Sequence, residues 1–308
     1  MACELLLPIV EDGGPCLPLA INAVSRYWDV SIPAAEAASA AARYPGGGAI
    51  LAEGLDLAGR HGLESAVLRS SMDGLRGALD AGVPPVVLLP GVPGITQHAS
   101  VITGYDDEEG TILHYVQEGR DGEQQEGAIP RDIFEREWSE ESQFMIVLAP
   151  PGSLPAADSA PDRAFLEAER LDALGDAGGA VSALRSAVSA GPNPPALALL
   201  GSMLARAGSD ECARHYEECT RLNPRAFLAW EGLGNHRLRT GDLAGAEECY
   251  DEAIRINPRR SARVYKNRAY LREKRGDGPG ARGDLASYLE RLPNAPDRGA
   301  IEAAMRGL

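Results

Sequence analysis

The chain has 308 residues, 44% hydrophobic and 24% charged, a composition that fits a folded protein with room for two domains. No run approaches 18 apolar residues, so a membrane-spanning helix and membrane insertion are not expected. The net charge of −15 sits wholly in residues 1–150, which hold 23 acidic and 8 basic side chains against 22 and 22 beyond; this acidity argues against nucleic acid as a partner.

The first residues, Met1-Ala-Cys-Glu-Leu-Leu-Leu-Pro8, lack a basic start, carry Glu4 and have an apolar run too short for a signal peptide. A cytoplasmic protein is expected. Residues 16–28 read as a helix with Leu19, Ala20, Ala23, Val24 and Tyr27 on one face. Residues 33–43 are alanine-rich behind Pro33, and a second helix is expected there, followed by a Gly46-Gly-Gly48 loop. Residues 50–61 look helical, Leu63–Leu68 extended and 72–81 helical. Pro85-Val-Val-Leu-Leu-Pro90 has the pattern of a short buried strand. His98–Tyr105 and Thr111–Gln117 read as two strands around the acidic turn Asp106–Gly110. A helix over 130–138 and a strand over 143–148 complete this half. Helices precede strands, which suggests α+β and not a doubly wound sheet.

Cys16 opens the first helix, and His98 opens a strand 82 residues later. A helix N-terminus favours negative charge and pushes a thiol toward thiolate. A histidine brought near it would take the proton, the minimum equipment of a cysteine nucleophile. Cys16-Leu17-Pro18 and His98…Gly104-Tyr105-Asp106, with the Tyr27-Trp28 helix end, resemble the bacterial papain-like cysteine peptidases that cut after a double-glycine leader. That resemblance implies that Cys16 is the nucleophile and His98 the base, with Gln117 or Glu118 orienting the imidazole. It also implies an oxyanion-binding glutamine six residues before the cysteine, where this chain has Val10, and a glycine where it has Leu17. Loss of one such donor typically costs about 100- to 1000-fold in rate. Two readings therefore stand side by side: a cysteine peptidase-like enzyme, and a non-catalytic adaptor that keeps the fold. His114 reads as a surface or packing residue.

Ala149–Pro161 contains four prolines and one glycine and reads as a linker. Beyond it Gly175, Gly208, Gly241 and Gly276 recur at spacings of 33, 33 and 35, with Ala180, Ala213, Ala246 and Ala281 in step. Pro192, Pro224, Pro258 and Pro293 close the units. Small residues suggest close helix approach, and each proline stops a helix. Trp230, Leu233, Gly234, Ala246, Tyr250, Ala253 and Pro258 resemble the tetratricopeptide repeat pattern, over about residues 162–293. Asp297–Leu308 reads as a terminal helix covering the end of the array. The expected architecture is an α+β papain-like domain (1–150), a Pro-rich linker (151–161) and an all-α tetratricopeptide-repeat solenoid with a capping helix (162–308).

The five cysteines show no C-x-x-C pair, so neither a disulfide framework nor a metal site is indicated, and no cofactor is expected. Cys212, Cys219 and Cys249 read as small buried apolar groups; His61, His215 and His236 are expected to be exposed. By comparison with the repeat pattern, Asn235, Lys266 and Tyr270 face a peptide-binding groove. Arg255–Arg275 carries nine basic residues and only Glu273 against them. These read as a solvated face, or as a site for an acidic peptide or C-terminal carboxylate, or as a dock for the acidic first half. The expected partner is a peptide or protein held by the repeats.

Overall fold

The computed structural model describes residues 2–8, 16–33, 35–36, 39, 51–91, 97–117 and 124–308; within these, the side chains of 16–19, 116–117 and 124–125 stand outside the description. The chain divides into two compact units, Met1–Leu89 with Gln97–Ala196, and Pro90–Thr96 with Leu197–Leu308.

The first unit is built on an antiparallel sheet. Its strands are β1 (Ala2–Glu4), β2 (Glu64–Arg69), β3 (Val86–Pro90), β4 (Gln97–Asp106), β5 (Thr111–Gln117), β6 (Gln124–Pro130) and β7 (Phe144–Ala149). The order is β2-β7-β3-β4-β5-β6, with β1 also paired to β4. Strands β1 and β6 were not legible from periodicity: β1 is three residues long, and β6 is Gln-Gln-Glu-Gly-Ala-Ile-Pro at a sheet edge. Edge strands are commonly short, polar or closed by proline, which removes the apolar alternation that marks an inner strand.

Helix α1 (Cys16–Tyr27) packs against β4 and against α2 (Leu51–Arg60). Every residue from Ala20 to Ser25 is buried, so the helix is covered on all sides and not on one face alone. Its end is pinned by the Trp28 indole N–H, which donates to the Leu148 carbonyl at 2.8 Å, and by the Tyr27 hydroxyl, which donates to the Gly82 carbonyl at 3.0 Å. Helix α3 (Met72–Asp80), capped by Ser71, and helix α4 (Arg131–Glu140) complete the core. There Leu75, Leu79, Phe134 and Trp138 meet Ile102, Ile112, Met145 and Val147. The helix expected over 33–43 and the Gly46–Gly48 loop lie almost wholly outside the described residues.

The Pro-rich segment has no helix or strand before α5 (Ala160–Ala173), yet it is fastened to the sheet. The Val67 N–H donates to Asp158 Oδ1 at 2.9 Å, and the Ser159 N–H donates to the Val67 carbonyl at 2.8 Å. These two bonds satisfy the Val67 N–H and C=O on the outer edge of β2, which would otherwise be unpaired there. Asp162 on α5 is buried and accepts from Arg69 Nε at 3.1 Å and Asn193 Nδ2 at 3.0 Å. Helix α5 and its partner α6 (Ala177–Ala190) therefore belong to the same compact unit as the sheet.

The second unit is helical. From α7 (Pro194–Arg206) the chain runs through α8 (Cys212–Leu222), α9 (Phe227–Thr240), α10 (Leu243–Ile256), α11 (Ala262–Lys274), α12 (Gly278–Arg291) and α13 (Arg298–Gly307). The strongest pairings are α9 with α10 and α11 with α12, and each pair packs on the next. The recurrent glycines serve turns and not close approach: Gly175, Gly208, Gly241 and Gly276 all have φ between +73° and +87° and open space where a side chain would stand. They end one helix in the left-handed conformation. After three of them an aspartate (Asp176, Asp242, Asp277) caps the next helix by accepting from the N–H three residues on. Close approach falls instead at Gly234, where a Cβ would come within 2.6 Å of the Tyr250 ring, and at the buried Ala180, Ala246 and Ala281. Cys212, Cys219 and Cys249 are buried, and burial pushes the last two thiols up to about 12 and about 11. His215 is also buried and the His236 side chain is 12% exposed, against the expectation of exposed rings; the His236 ring turns back toward α8, with Nδ1 3.3 Å from Cys212 Sγ.

Candidate functional site

The strand that carries His98 is held at both ends. At its far end the Gly-Tyr-Asp motif is structural. A Cβ on Gly104 would lie 2.2 Å from the Cys3 carbonyl oxygen, so β1 can pair with β4 only over a glycine. The Tyr105 hydroxyl donates to Asp80 at 2.8 Å, and the Arg76 guanidinium stacks 4.1 Å from the Tyr105 ring centre. Asp107 receives two bonds from Arg76, at 3.0 and 2.7 Å, and one from Arg131. Those cations hold its carboxyl well below the usual range, at about 2. Asp106 caps the turn by accepting from the Glu108 and Glu109 N–H groups.

At the near end, Gln97 donates to Glu141 at 2.5 Å, and His98 follows. The His98 ring is half-buried, and burial holds its pKa below the ordinary value. It is therefore a neutral imidazole at neutral pH, the form that accepts a proton. Two residues on, the Ser100 hydroxyl donates to the Tyr115 carbonyl at 3.2 Å. The same oxygen lies 2.9 Å from His114 Nδ1, a hydrogen bond between the two side chains. Burial first, and the nearby His98 second, lower His114 to about 4. His114 is thus a buried packing residue, one of the two alternatives its sequence context left open.

Cys16 is the first residue of α1, the helix that packs on β4. The sulfur, like the Leu17 side chain, stands outside the described side chains, and so does Val10. Gln117 ends β5, with its backbone opposite Gln124; its side chain, and all of Glu118, lie outside the described residues. Backbone connectivity brings the helix of Cys16 and the strand of His98 into contact. Among the described residues, no group of three or more His, Cys, Asp or Glu side chains is arranged to hold a metal. No helix among them is long and apolar enough to cross a membrane.

In the second unit, α11 presents Arg263, Lys266, Asn267, Tyr270 and Lys274 along one side at helical spacing, each half-buried or exposed. Tyr270 is 51% exposed, with the Lys274 ammonium 5.2 Å from its ring centre. Helix α9 presents Leu228, Glu231, Asn235 and Arg239 in the same way. The two rows are joined: Asn235 Oδ1 accepts from Asn267 Nδ2 at 2.8 Å and from the Tyr250 hydroxyl at 2.9 Å. Burial raises the Glu231 carboxyl, and Arg263 and Arg260 pull it back. Lys266 reaches Asp297 at 2.5 Å. Asn267 was missed by sequence reasoning, although its place one residue after Lys266 carries the signal.

Much of the basic segment is neutralised within its own unit. Arg268 bonds Asp284 and Asp251, Arg272 bonds Asp284 and Glu247, Arg275 pairs with Glu247, and Arg255 with Glu252. With the Arg268 and Asp284 side chains only 12% and 5% exposed, these groups fasten α11 to α10 and α12. Neither a solvated face nor a ligand site describes Arg268 and Arg272, which form ion pairs between helices.

A profile of the tetratricopeptide repeat family matches residues 227–260, the span of α9, α10 and the turn that follows. The chain thus contains a tetratricopeptide repeat, which lies in the helical second unit; the antiparallel sheet belongs to the first. No curated protein matches the chain. Among solved structures it is similar to a tetratricopeptide repeat protein from Parabacteroides merdae ATCC 43184, with 19% identity, TM-score 0.43, and 48% of this chain and 60% of that one covered. It is similar also to MamA from Desulfovibrio magneticus RS-1, with 15% identity, TM-score 0.43, and 49% and 90% covered. A third is the Yersinia enterocolitica type III secretion chaperone SycD, solved with a peptide of the translocator YopD, with 16% identity, TM-score 0.34, and 36% and 88% covered.

Proposed function

We propose that this protein binds a peptide segment of a protein partner along the joined faces of α9 and α11. The observation that carries this reading is the Asn235–Asn267 bond across neighbouring helices, beside exposed Tyr270, Lys274 and Arg263. Paired amides offer donors and acceptors to an extended backbone, a tyrosine offers rigid contact area, and cations nearby select acidic character. A library of peptides with free C-terminal carboxylates, screened on the full chain, is expected to enrich acidic sequences. Asn235→Ala with Asn267→Ala is expected to abolish that enrichment. Undiminished enrichment in the double variant contradicts the reading.

A second reading concerns the first unit. The packing of α1 on β4 supports a papain-like framework over residues 1–150, joined by 151–161 to repeats over 162–308. In it, Cys16 attacks a peptide carbonyl, and His98 takes and returns the proton. Gln117 or Glu118 orients the ring, and the Cys16 N–H supplies part of the oxyanion site. Val10 and Leu17 favour the adaptor form of this reading, in which the framework persists without turnover. Iodoacetamide labelling of Cys16 across pH separates the two. A coupled site gives a thiol titrating below about 8.5 that rises in His98→Ala. A profile near 8.5, unmoved by that change, leaves the adaptor. The cytoplasm is the proposed setting for either form.

A further inference from the structure

Asp297 stands where a helix cap belongs, immediately before α13, yet its side chain makes no capping bond to that helix. Instead one carboxylate oxygen accepts from Lys266 Nζ at 2.5 Å, and the other from the Tyr288 hydroxyl at 2.6 Å. The Lys266 ammonium also lies 5.6 Å from the Tyr288 ring centre. Lys266 and Tyr288 hold the Asp297 carboxyl below the ordinary range, as a charged acceptor does when two donors converge on it. The pair is not deeply buried: Lys266 is 44% and Asp297 29% exposed, so an outside carboxylate has access to the lysine. Beyond Asp297, Ile301 and Met305 of α13, with Leu308 just after it, join the apolar cluster shared with α11 and α12. Arg282 also bonds the Met305 carbonyl at 3.0 Å.

We propose that Asp297 is an internal competitor. Its carboxylate occupies Lys266 on the binding face, and an acidic peptide must displace it, which loosens the start of α13. This rests on the α9–α11 peptide reading and adds to it a self-blocking contact. The exchange is one carboxylate for another on the same ammonium, so charge is conserved at Lys266 while the Tyr288 hydroxyl loses its acceptor. Ligand binding and the docking of α13 are thereby coupled, each weakening the other.

The test uses the full chain. The probe is a fluorescein-labelled peptide ending in Asp-Asp with a free carboxylate, alongside its C-terminal amide, read by anisotropy. Asp297→Asn keeps an acceptor for Tyr288 but removes the charge, and is expected to tighten the carboxylate peptide roughly threefold to fivefold, the upper range for a half-exposed ion pair. Lys266→Gln is expected to weaken it by a similar factor. Hydrogen exchange over residues 298–307 is expected to quicken in both variants without peptide, and in the wild type with it. If Lys266→Gln weakens binding while Asp297→Asn leaves it unchanged, the competitor is overturned and the binding face stands. If the peptide fails to bind even Asp297→Asn, both fall. Unchanged exchange of α13 in both variants overturns the latch irrespective of peptide.

Discussion

Asp107 shows how a single residue next to a motif serves folding. It follows the Gly-Tyr-Asp run that resembles a peptidase signature, and it gathers Arg76 and Arg131 at the β4–β5 turn. Its carboxyl is depressed to about 2, so it binds fewer protons folded than unfolded. The unfolded value is about 3.9. Its stabilising effect is therefore complete above that value and is lost as pH falls toward 2. Asp107→Asn is expected to lower the Tm at pH 7, with the gap to wild type closing near pH 2. A constant gap across that window contradicts the assignment. Gly104 belongs to the same lesson. The residue was visible in the sequence, but its reason, the Cys3 carbonyl 2.2 Å from where a Cβ would stand, lies in a three-residue strand without periodicity.

Among elements, the helices and inner strands were legible because their patterns are local. The α1 span begins at the predicted cysteine, and β5 covers the predicted Thr111–Gln117. What stayed hidden was long-range: the polar edge strand β6, the all-round burial of α1, and the docking of Asp158 and Ser159 on β2. The recurrent glycines were seen, but they pointed to close packing, whereas their positive φ makes them helix ends. Each Gly-Asp pair, left-handed stop then cap, was the clue available in the sequence. The basic run on α11 teaches the same caution, since its partners Asp251, Asp284 and Glu247 come from other helices. Asp284→Ala leaves Arg268 and Arg272 short of their shared, buried carboxylate. It is expected to destabilise by about 3 kcal/mol, as breaking a buried pair does. Denaturant unfolding checks this, and a change below about 1 kcal/mol, the surface-pair range, contradicts it.

At the scale of the whole molecule, the proposed thiol site and the proposed binding face belong to different compact units of the chain. Composition already separated an acidic half from a neutral one. The compact units divide between Ala196 and Leu197, so α5 and α6 sit with the sheet although their sequence reads as a repeat. The candidate thiol site was read from the sequence as Cys16, His98 and either Gln117 or Glu118, and of these side chains only that of His98 lies within the described residues. Of the proposed binding face, Asn235, Lys266 and Tyr270 were named from the sequence, whereas the Asn235–Asn267 and Lys266–Asp297 bonds come from the packing of neighbouring helices. Hydrogen exchange on the full chain, with and without the tightest acidic peptide, tests the central claim most directly. Protection confined to α9 and α11 is the predicted result, and protection at α1 and β4 with none at α9 or α11 would contradict it.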